Sequence, residues 1–414
     1  MDKSFFMNNR QRLFNEMPEG SMAILFAGEA HRKSADMYHQ FFSDRNYLYL
    51  AGVDYEGFIL VLTKTASSIQ ERLYILPKDQ FKERWNGYRY STDEVRGLSG
   101  VENLRYVDSF EDDIFRTINS GQIKELWLDL FKNRHTEPHD ISHTFANKVR
   151  CSYPWLTIAN MLPALRKLRT IKAPCEIEAL KHSEEITKDG IIAMMKAAKP
   201  GMYEYELKAE FDRVVTKSGV VATISAPIIS AGSNNFFIHY NSFTGQIGGD
   251  DMILVDVGAD WNHLVTDVSR AWPVSGKFTD KQAALYNAAY DTSNYMFEII
   301  KPGMPMKAVD ETIRKVCTDE LMKIGLLKNP AESSKYIWHG GAHHIGWDVH
   351  DMVDTAIGDI KPGMVFCVDV GIYCEEWGIG FRLEDNCLIT DTGCVNLSGD
   401  IPRSIEEIEA VLAK

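Results

Sequence analysis

The chain has 414 residues, of which 45% are hydrophobic and 25% are charged, and its formal net charge is −13 at pH 7. This composition is typical of a globular protein, and the length predicts about two domains. The acidic balance and the lack of a long basic run argue against non-specific binding to nucleic acid.

Targeting signals and cysteines bear on the location of the protein. Charged residues interrupt the segment 1–20, and no run of about eighteen apolar residues occurs, so we predict neither a signal peptide nor a membrane-spanning helix. The seven cysteines include no CxxC pair, which fits a reducing compartment better than a disulfide framework. We therefore expect a cytoplasmic protein whose cysteines are ordinary buried thiols.

The first part of the chain, from Ser21 to about Leu130, alternates strand-like runs with polar turns. The runs are MAILFAG (22–28), YLYLAGV (47–53), FILVLT (58–63), RLYILP (72–77), LRYVD (104–108) and ELWLDL (125–130). Such runs predict strands. Helical stretches between some of them, for example Ser109 to Asn119, predict an α/β sandwich domain.

Trp85 lies in the polar segment Lys82 to Gly87 of this first domain. A bulky aromatic residue in a polar loop can take part in recognition. The alternative is an ordinary, partly buried tryptophan.

A domain boundary is predicted at about residue 170. The charge turns basic over 166–169, and Ala173-Pro174 followed by Glu176 is typical of a helix start with proline in its first turn. The two predicted domains are therefore 1–170 and 171–414.

Beyond residue 170, one order of features occurs twice. In each copy, two helix-like stretches separated by Lys-Pro-Gly-Met precede a histidine, a Val-Asp-Val-Gly segment and one further acid. The pairs are 199–202 with 301–304, Glu204–Lys217 with Lys307–Lys323, His239 with His343, 255–258 with 368–371, and Asp267 with Glu384. This agreement predicts an internal duplication. Two halves facing each other across a pseudo-twofold axis would bring together four acids, Asp256, Asp267, Asp369 and Glu384.

Four clustered carboxylates repel one another, and a like-charge pair about 4 Å apart costs on the order of 4 kcal/mol at an effective dielectric constant of about 20. Bound divalent cations would be the simplest way to offset this repulsion between the carboxylates. Four acids with one imidazole suit Mn²⁺ best, with Co²⁺ or Zn²⁺ possible. Two bridged ions would lower the pKa of a water enough for it to attack an amide. The alternative is that single acids cap turns or pair with arginine.

The histidine-rich segment 338–351 is predicted to be a loop. His339 and His343 have the spacing of an HExxH zinc helix, but two glycines lie between them and no glutamate follows His339. His350 could donate to a substrate carbonyl. A lone histidine more often has a structural role, but the density of histidines here favours a functional one.

Four segments resemble the motifs of the aminopeptidase P and prolidase metallopeptidases, whose catalytic domain has the pita-bread fold. They are LVDVGADWNHLVTDVSRAWPVSGKFT (254–279), HGGAHHIGWDVHD (339–351), IKPGMVFCVDVGIY (360–373) and GIGFRLEDNCLIT (378–390). NYLYLAGVDYEGFILVLT (46–63) and RWNGYRYS (84–91) resemble that family's amino-terminal domain. The resemblance implies an α/β (α+β) chain, with a creatinase-like amino-terminal α/β domain in 1–170 and a pseudo-twofold pita-bread metallopeptidase domain in 171–414.

The resemblance also implies a role for each matching position. Asp256 would bind one metal ion, Asp267 and Glu384 would bridge both, and His343 with Asp369 would hold the second. His239 and His350 would face the substrate and stabilise the tetrahedral intermediate and the leaving proline nitrogen.

Three further residues have implied roles around this centre. Arg382 would orient a ligand carboxylate, unless it forms a plain salt bridge. His339 matches a position that lines the substrate pocket. Trp85 would reach the pocket of a neighbouring subunit in a homodimer or homotetramer.

One ligand position departs from the family pattern. Where the family has Thr-Val-Glu-Pro-Gly, this chain has Cys367-Val368-Asp369-Val370-Gly371, so an aspartate replaces the glutamate that also contacts the nucleophilic water. Its shorter arm retracts the carboxylate by roughly one bond length, while metal–ligand distances tolerate only about 0.2 Å. Either the strand moves inward, or the second metal is weakly held, or the chemistry has changed.

The predicted function is metal-dependent hydrolysis of the N-terminal Xaa-Pro bond of peptides by a metal-bridging hydroxide. One alternative is a prolidase, which cleaves only dipeptides and needs a cationic group for the free carboxylate beside proline. An alternative of another class is a non-catalytic peptide-binding protein of the same fold. A protein that had lost its activity would usually have lost several of its metal-binding residues, whereas only one of them is altered in this chain.

Overall fold

The computed structural model describes residues 1–220 and 227–413. The chain divides into two compact units, Met1–Arg169 and Thr170–Lys414. None of the helices in the described residues is long and apolar enough to cross a membrane.

The first unit is built on a six-stranded mixed sheet in the order β6-β5-β4-β1-β7-β8. Its strands are β1 (Ser21–Phe26), β4 (Ile59–Lys64), β5 (Ile69–Ile75), β6 (Leu104–Tyr106), β7 (Glu125–Leu128) and β8 (Thr157–Asn160), and β2 (Arg32–Ser34) with β3 (Met37–Tyr38) forms a separate hairpin. The helices are α1 (Lys3–Glu16), α2 (Arg45–Ala51), α3 (Gln80–Asn86), α4 (Thr92–Ser99), α5 (Phe110–Asn119), α6 (Ile141–Ser152) and α7 (Leu162–Thr170). Apolar residues of β1 and β7 pack against α5 and α6 in one core.

Two predictions about this unit are wrong. The run YLYLAGV is not a strand but most of helix α2, whose residues are all buried and whose amino terminus is capped by the Asp44 side chain. A helix buried on every side has no polar face, so a short apolar run does not distinguish it from a buried strand. Trp85 lies in helix α3 rather than in a loop, and it is exposed rather than partly buried.

The second unit repeats one arrangement of a helix pair followed by a three-stranded antiparallel sheet. The first copy has α8 (Pro174–Ala197), α9 (Glu204–Lys217), β9 (Ile228–Ala231), β10 (Met252–Val257) and β13 (Val268–Pro273), with the small hairpin β11 (Asp260–Trp261) and β12 (Leu264–Val265) inserted. The second has α10 (Asp280–Ile299), α11 (Met306–Lys323), β14 (Val365–Cys374), β15 (Ile379–Ile389) and β16 (Cys394–Asn396), and α12 (Ile405–Leu412) ends the chain. The strand orders are β13-β10-β9 and β14-β15-β16.

Several sequence predictions for this unit are confirmed. Helix α8 begins at Pro174, α9 spans Glu204–Lys217, and α11 ends at Lys323. The segment 338–351 contains no helix, because its glycines favour irregular backbone.

The acids of the two sheets lie in one continuous core. The apolar neighbours of Asp256 in β10 and of Asp369 in β14 belong to the same hydrophobic cluster; they are Val255, Val257, Val368 and Val370. The sheets are also joined by a hydrogen bond from the Ser269 hydroxyl to Glu384 Oε2 at 3.1 Å. The repeated halves therefore bring their acid-bearing strands together.

All seven cysteines are free. The expectation that all of them are buried is wrong for Cys151 and Cys175, which are exposed, and for Cys394, which is partly exposed.

Candidate metal centre

Strand register places the predicted acids at one site. Asp369 of β14 lies directly opposite Glu384 of β15, and Asp256 of β10 lies opposite Ser269 of β13. Asp267 immediately precedes β13. Because side chains alternate between the faces of a strand, Asp256 and Asp369 are each flanked by two valines that turn into the core.

Four donor side chains form the tightest part of the site. One ligand atom from each of Asp267, His343, Cys367 and Glu384 lies within 4.8 Å of the others. Nε2 of His343 is 3.2 Å from Glu384 Oε1 and 3.5 Å from Asp267 Oδ2. The loop 338–351 thus delivers an imidazole to two carboxylates, as expected for a ligand set of mixed nitrogen and oxygen.

Arg382 links Asp256 to the rest of the site. Its Nη2 donates to Asp256 Oδ2 at 2.7 Å, and its Nε donates to the Ser269 hydroxyl at 3.3 Å. Its Nη1 donates to the carbonyl of Ile238 at 3.2 Å, beside His239. A salt bridge was the alternative role expected for Arg382. The structure shows that Arg382 forms this salt bridge with Asp256 and also orients its carboxylate.

The Asp369 carboxylate contacts His339. Its Oδ2 is 3.3 Å from Nδ1 of His339, whose Nε2 is 3.0 Å from the Tyr373 hydroxyl. The Tyr373 hydroxyl in turn accepts a hydrogen bond from Arg382 Nη1 at 3.2 Å. The short aspartate arm thus places its carboxylate beside His339.

The acids influence one another's protonation. Burial, followed by the charges of Glu384 and Asp256, raises the pKa of Asp267 well above its ordinary value. Burial and then Glu384 raise the pKa of Asp369 in the same way. Burial opposes ionisation of Asp256 as well, but the charge of Arg382 and hydrogen bonds with Asp267, Arg382 and Ser269 together outweigh it and lower the pKa of that carboxyl. Four anions in this space are unfavourable without added positive charge.

The residues present fit a divalent cation. Oδ1 of each of Asp256, Asp267 and Asp369 is buried and has no hydrogen-bond partner among the described residues. Buried polar atoms in proteins nearly always have a partner. Three unpartnered carboxylate oxygens at one site are the pattern expected where metal ions complete the coordination.

The remaining predicted histidines lie on the solvent side of this cluster. His239 and His350 are exposed. The His350 ring lies 4.5 Å from the His343 ring, nearly perpendicular to it. Desolvation of the ring by nearby protein atoms, then the charge of His343, lowers the pKa of His350, and the charge of His239 contributes to the same shift. His239, His343 and His350 therefore share one electrostatic neighbourhood.

The sequence reasoning missed residues that support the predicted ones. The Asn386 side chain donates to the main-chain carbonyl of Asp267 and accepts from its N–H at 3.2 Å. Cys367, Ser269 and Tyr373 were missed as well. Strand periodicity would have found three of them, because Cys367 and Tyr373 are an even number of residues from Asp369, and Asn386 is two from Glu384.

The two Val-Asp-Val-Gly segments need their glycines for space. A Cβ atom on Gly258 would lie 1.8 Å from the main-chain oxygen of Thr266, and one on Gly371 would lie 2.2 Å from Nε2 of His339. Real Cβ contacts are never this short, so each glycine allows a neighbouring segment of the site to pass close to the strand.

Trp85 belongs to the first unit, on helix α3, where its side chain is 76% exposed. Phe81, one turn earlier on the same helix, is 69% exposed. These two aromatic side chains therefore form a neighbouring exposed pair on α3.

Comparison with known proteins agrees with the architecture of both units. Residues 178–391 match metallopeptidase family M24, and residues 6–127 match the aminopeptidase P N-terminal domain. A structure from Bacillus anthracis, provisionally assigned as an aminopeptidase P, is 37% identical and superposes with a TM-score of 0.97, covering 100% of this chain and 98% of that one. Zinc-substituted Escherichia coli aminopeptidase P in complex with product is 25% identical with a TM-score of 0.89, at the same coverage. The Xaa-Pro aminopeptidase of Escherichia coli K12 is 26% identical over 98% of this chain and 97% of its own length.

Proposed function

We propose, from the premise that this chain belongs to metallopeptidase family M24, that its buried acids form a two-metal centre for peptide hydrolysis. The chain is a metallopeptidase with an aminopeptidase P amino-terminal domain and a pita-bread catalytic domain, and it hydrolyses the N-terminal Xaa-Pro bond of peptides. The single observation that carries the site proposal is the set of three buried, unpartnered carboxylate oxygens on Asp256, Asp267 and Asp369.

The proposed ligands follow the sequence prediction. Asp256 would hold one divalent ion, Asp267 and Glu384 would serve both ions, and His343 with Asp369 would hold the second. The central position of Asp267 and Glu384, each close to His343 Nε2, supports the bridging roles. We propose Mn²⁺ for an oxygen-rich set of this kind, with Co²⁺ or Zn²⁺ as alternatives.

Two divalent cations, when bound, provide an activated water at neutral pH and polarise the carbonyl that is attacked. Asp369 would hold a proton during the reaction, because its buried Oδ1 has no hydrogen-bond partner among the described residues and is free to accept one. The same proton passes to the proline nitrogen as the C–N bond breaks. His350 and His239 donate hydrogen bonds to the carbonyl oxygen and the leaving group.

The supporting residues keep these groups in place. Arg382 fixes the Asp256 carboxylate with a charge-assisted hydrogen bond of 2.7 Å. His339 contacts Asp369 and Tyr373 at the edge of the site, which supports its role in lining the substrate pocket. Both residues therefore act by positioning ligand or substrate groups.

Hydrolysis of Ala-Pro-Pro, Ala-Pro and Ala-Ala-Ala by the manganese-loaded protein tests the assignment. We expect rapid release of alanine from Ala-Pro-Pro, slower cleavage of Ala-Pro, and no cleavage of Ala-Ala-Ala. The measurement is quantification of free alanine over time. Activity confined to Ala-Pro would support the prolidase alternative, and failure to cleave any Xaa-Pro bond would support the non-catalytic one.

We also propose a cytoplasmic location and a homodimer or homotetramer. The seven free cysteines support a reducing compartment. The exposed pair Phe81 and Trp85 on α3 supports a contact with another subunit, because clustered exposed aromatic side chains are common at interfaces. In this assembly Trp85 reaches the substrate pocket of a neighbouring subunit.

Replacement of Trp85 by alanine should lower kcat/KM on Ala-Pro-Pro by about fivefold, corresponding to a contact worth ~1 kcal/mol. The matched control is Phe115→Ala, which removes another exposed aromatic side chain, on α5 of the same unit. Steady-state kinetics of both variants provides the measurement. Unchanged kinetics of Trp85→Ala would contradict a role for Trp85 at the pocket.

A further inference from the structure

Cys367 is an additional donor atom within the candidate metal centre. It lies on β14, its side chain is fully buried, and its Sγ is within 4.8 Å of ligand atoms of Asp267, His343 and Glu384. The Asn386 side-chain amide donates to this sulfur at 3.7 Å. The thiol is thus directed into the site rather than into the apolar core.

Asp369 does not belong to this compact group of four. Its carboxylate lies beside His339, 3.3 Å from Nδ1, although it shares a strand face with Cys367 two residues earlier. The donors within 4.8 Å of one another beside His343 are therefore one imidazole, two carboxylates and one sulfur, and the proposed ligand Asp369 would add to them. Asp267, which is only 5% exposed, also directs an unpartnered Oδ1 into this space.

The chemistry of these donors selects among cations. Mn²⁺ prefers oxygen ligands, whereas thiolate favours softer ions such as Zn²⁺ or Cd²⁺, and Co²⁺ accepts both. Zinc accepts all three kinds of donor found here, which are cysteine sulfur, histidine nitrogen and carboxylate oxygen. Asp256 is not one of these four donors; its Oδ2 is held by Arg382 Nη2 at 2.7 Å.

We infer that Cys367 is a ligand at the position beside His343 and gives that position a preference for a thiophilic divalent ion. The inference rests on the two-metal centre proposed above and refines it. When the sulfur binds, the thiol proton is released to solvent and the metal–sulfur bond replaces the S–H bond. The position at Asp256 keeps its preference for a hard ion, so the two positions differ in the metal that they select.

Cobalt loading of the full-length chain tests this inference without reference to activity. Wild-type protein freed of metal and titrated with Co²⁺ should develop a near-ultraviolet sulfur-to-cobalt charge-transfer band. Cys367→Ser should bind cobalt without this band. Cys374→Ser, which replaces another cysteine of β14 that lies outside the group of four, should retain it.

Competition between Cd²⁺ and Mn²⁺ provides the second readout. We expect Cys367→Ser to weaken Cd²⁺ binding by at least about tenfold, the lower end of the loss seen on changing groups around a metal site, with Mn²⁺ affinity unchanged. Two bound ions in wild-type protein without the charge-transfer band would overturn the role of Cys367 alone. No bound divalent ion in wild-type protein would overturn the two-metal centre as well.

Discussion

Replacement of Asp267 by asparagine should reduce kcat/KM on Ala-Pro-Pro by about a thousandfold, because the several kcal/mol supplied by metal-ion catalysis would be lost. Asp267 is central to the site: it lies 3.5 Å from His343 Nε2, and its Oδ1 has no other partner among the described residues. An amide keeps the side-chain volume but removes the negative charge. The measurements are steady-state kinetics and the metal content of the purified variant.

The control for this variant is Asp391→Asn, in the exposed turn after β15, which should retain full activity and both ions. The metal-free Asp267→Asn protein should be at least as stable as metal-free wild type, since the variant removes a carboxylate that burial and Glu384 destabilise. Wild-type turnover together with full metal content in Asp267→Asn would contradict the bridging role.

Replacement of Lys172 by methionine should destabilise the protein by about 3–5 kcal/mol, the cost of removing one partner from a buried ion pair. Lys172 Nζ lies 2.6 Å from Asp351 Oδ2, and both side chains are fully buried. Asp351 follows His350, and its N–H donates to the carbonyl of His344 at 2.8 Å. The ion pair therefore anchors the loop 338–351, and urea unfolding measures its contribution.

Two further variants separate stability from positioning. Lys181→Met removes an exposed lysine paired with Glu178, and should change the free energy of unfolding by at most ~1 kcal/mol. Lys172→Met combined with Asp351→Leu should recover much of the lost stability. It should still have a lowered kcat, because His350 and His343 are no longer held by the pair. Loss of less than ~1 kcal/mol in Lys172→Met would contradict this anchoring role.

Much of the fold could be predicted because its signals are local. The helix over Glu204–Lys217 and the strand around Asp256 follow from periodicity and from the cost of burying an acid among apolar residues. Helix α2 could not be predicted in this way, because its burial on every side depends on contacts with residues that are distant in sequence. Local patterns therefore predict an element best where the sequence shows a clear periodicity or an acid among apolar residues.

The candidate site shows the same limit. The order of acids in the two halves predicted which residues meet, but not the distances that place Asp369 beside His339 and Cys367 beside His343. Cysteine is commonly buried for reasons of packing alone, so composition did not single out Cys367. Its position two residues before Asp369 on a strand was the available signal.

Gly258 and Gly371 occupy matching places in the two halves, yet a methyl group would overlap a main-chain oxygen at one and a histidine ring at the other. The two positions are thus restricted by unrelated neighbours. If the halves descend from one duplicated gene segment, mutations could accumulate wherever the packing left room. The common ancestry would then still be recognisable at Gly258 and Gly371, where neither half has room for one more carbon atom.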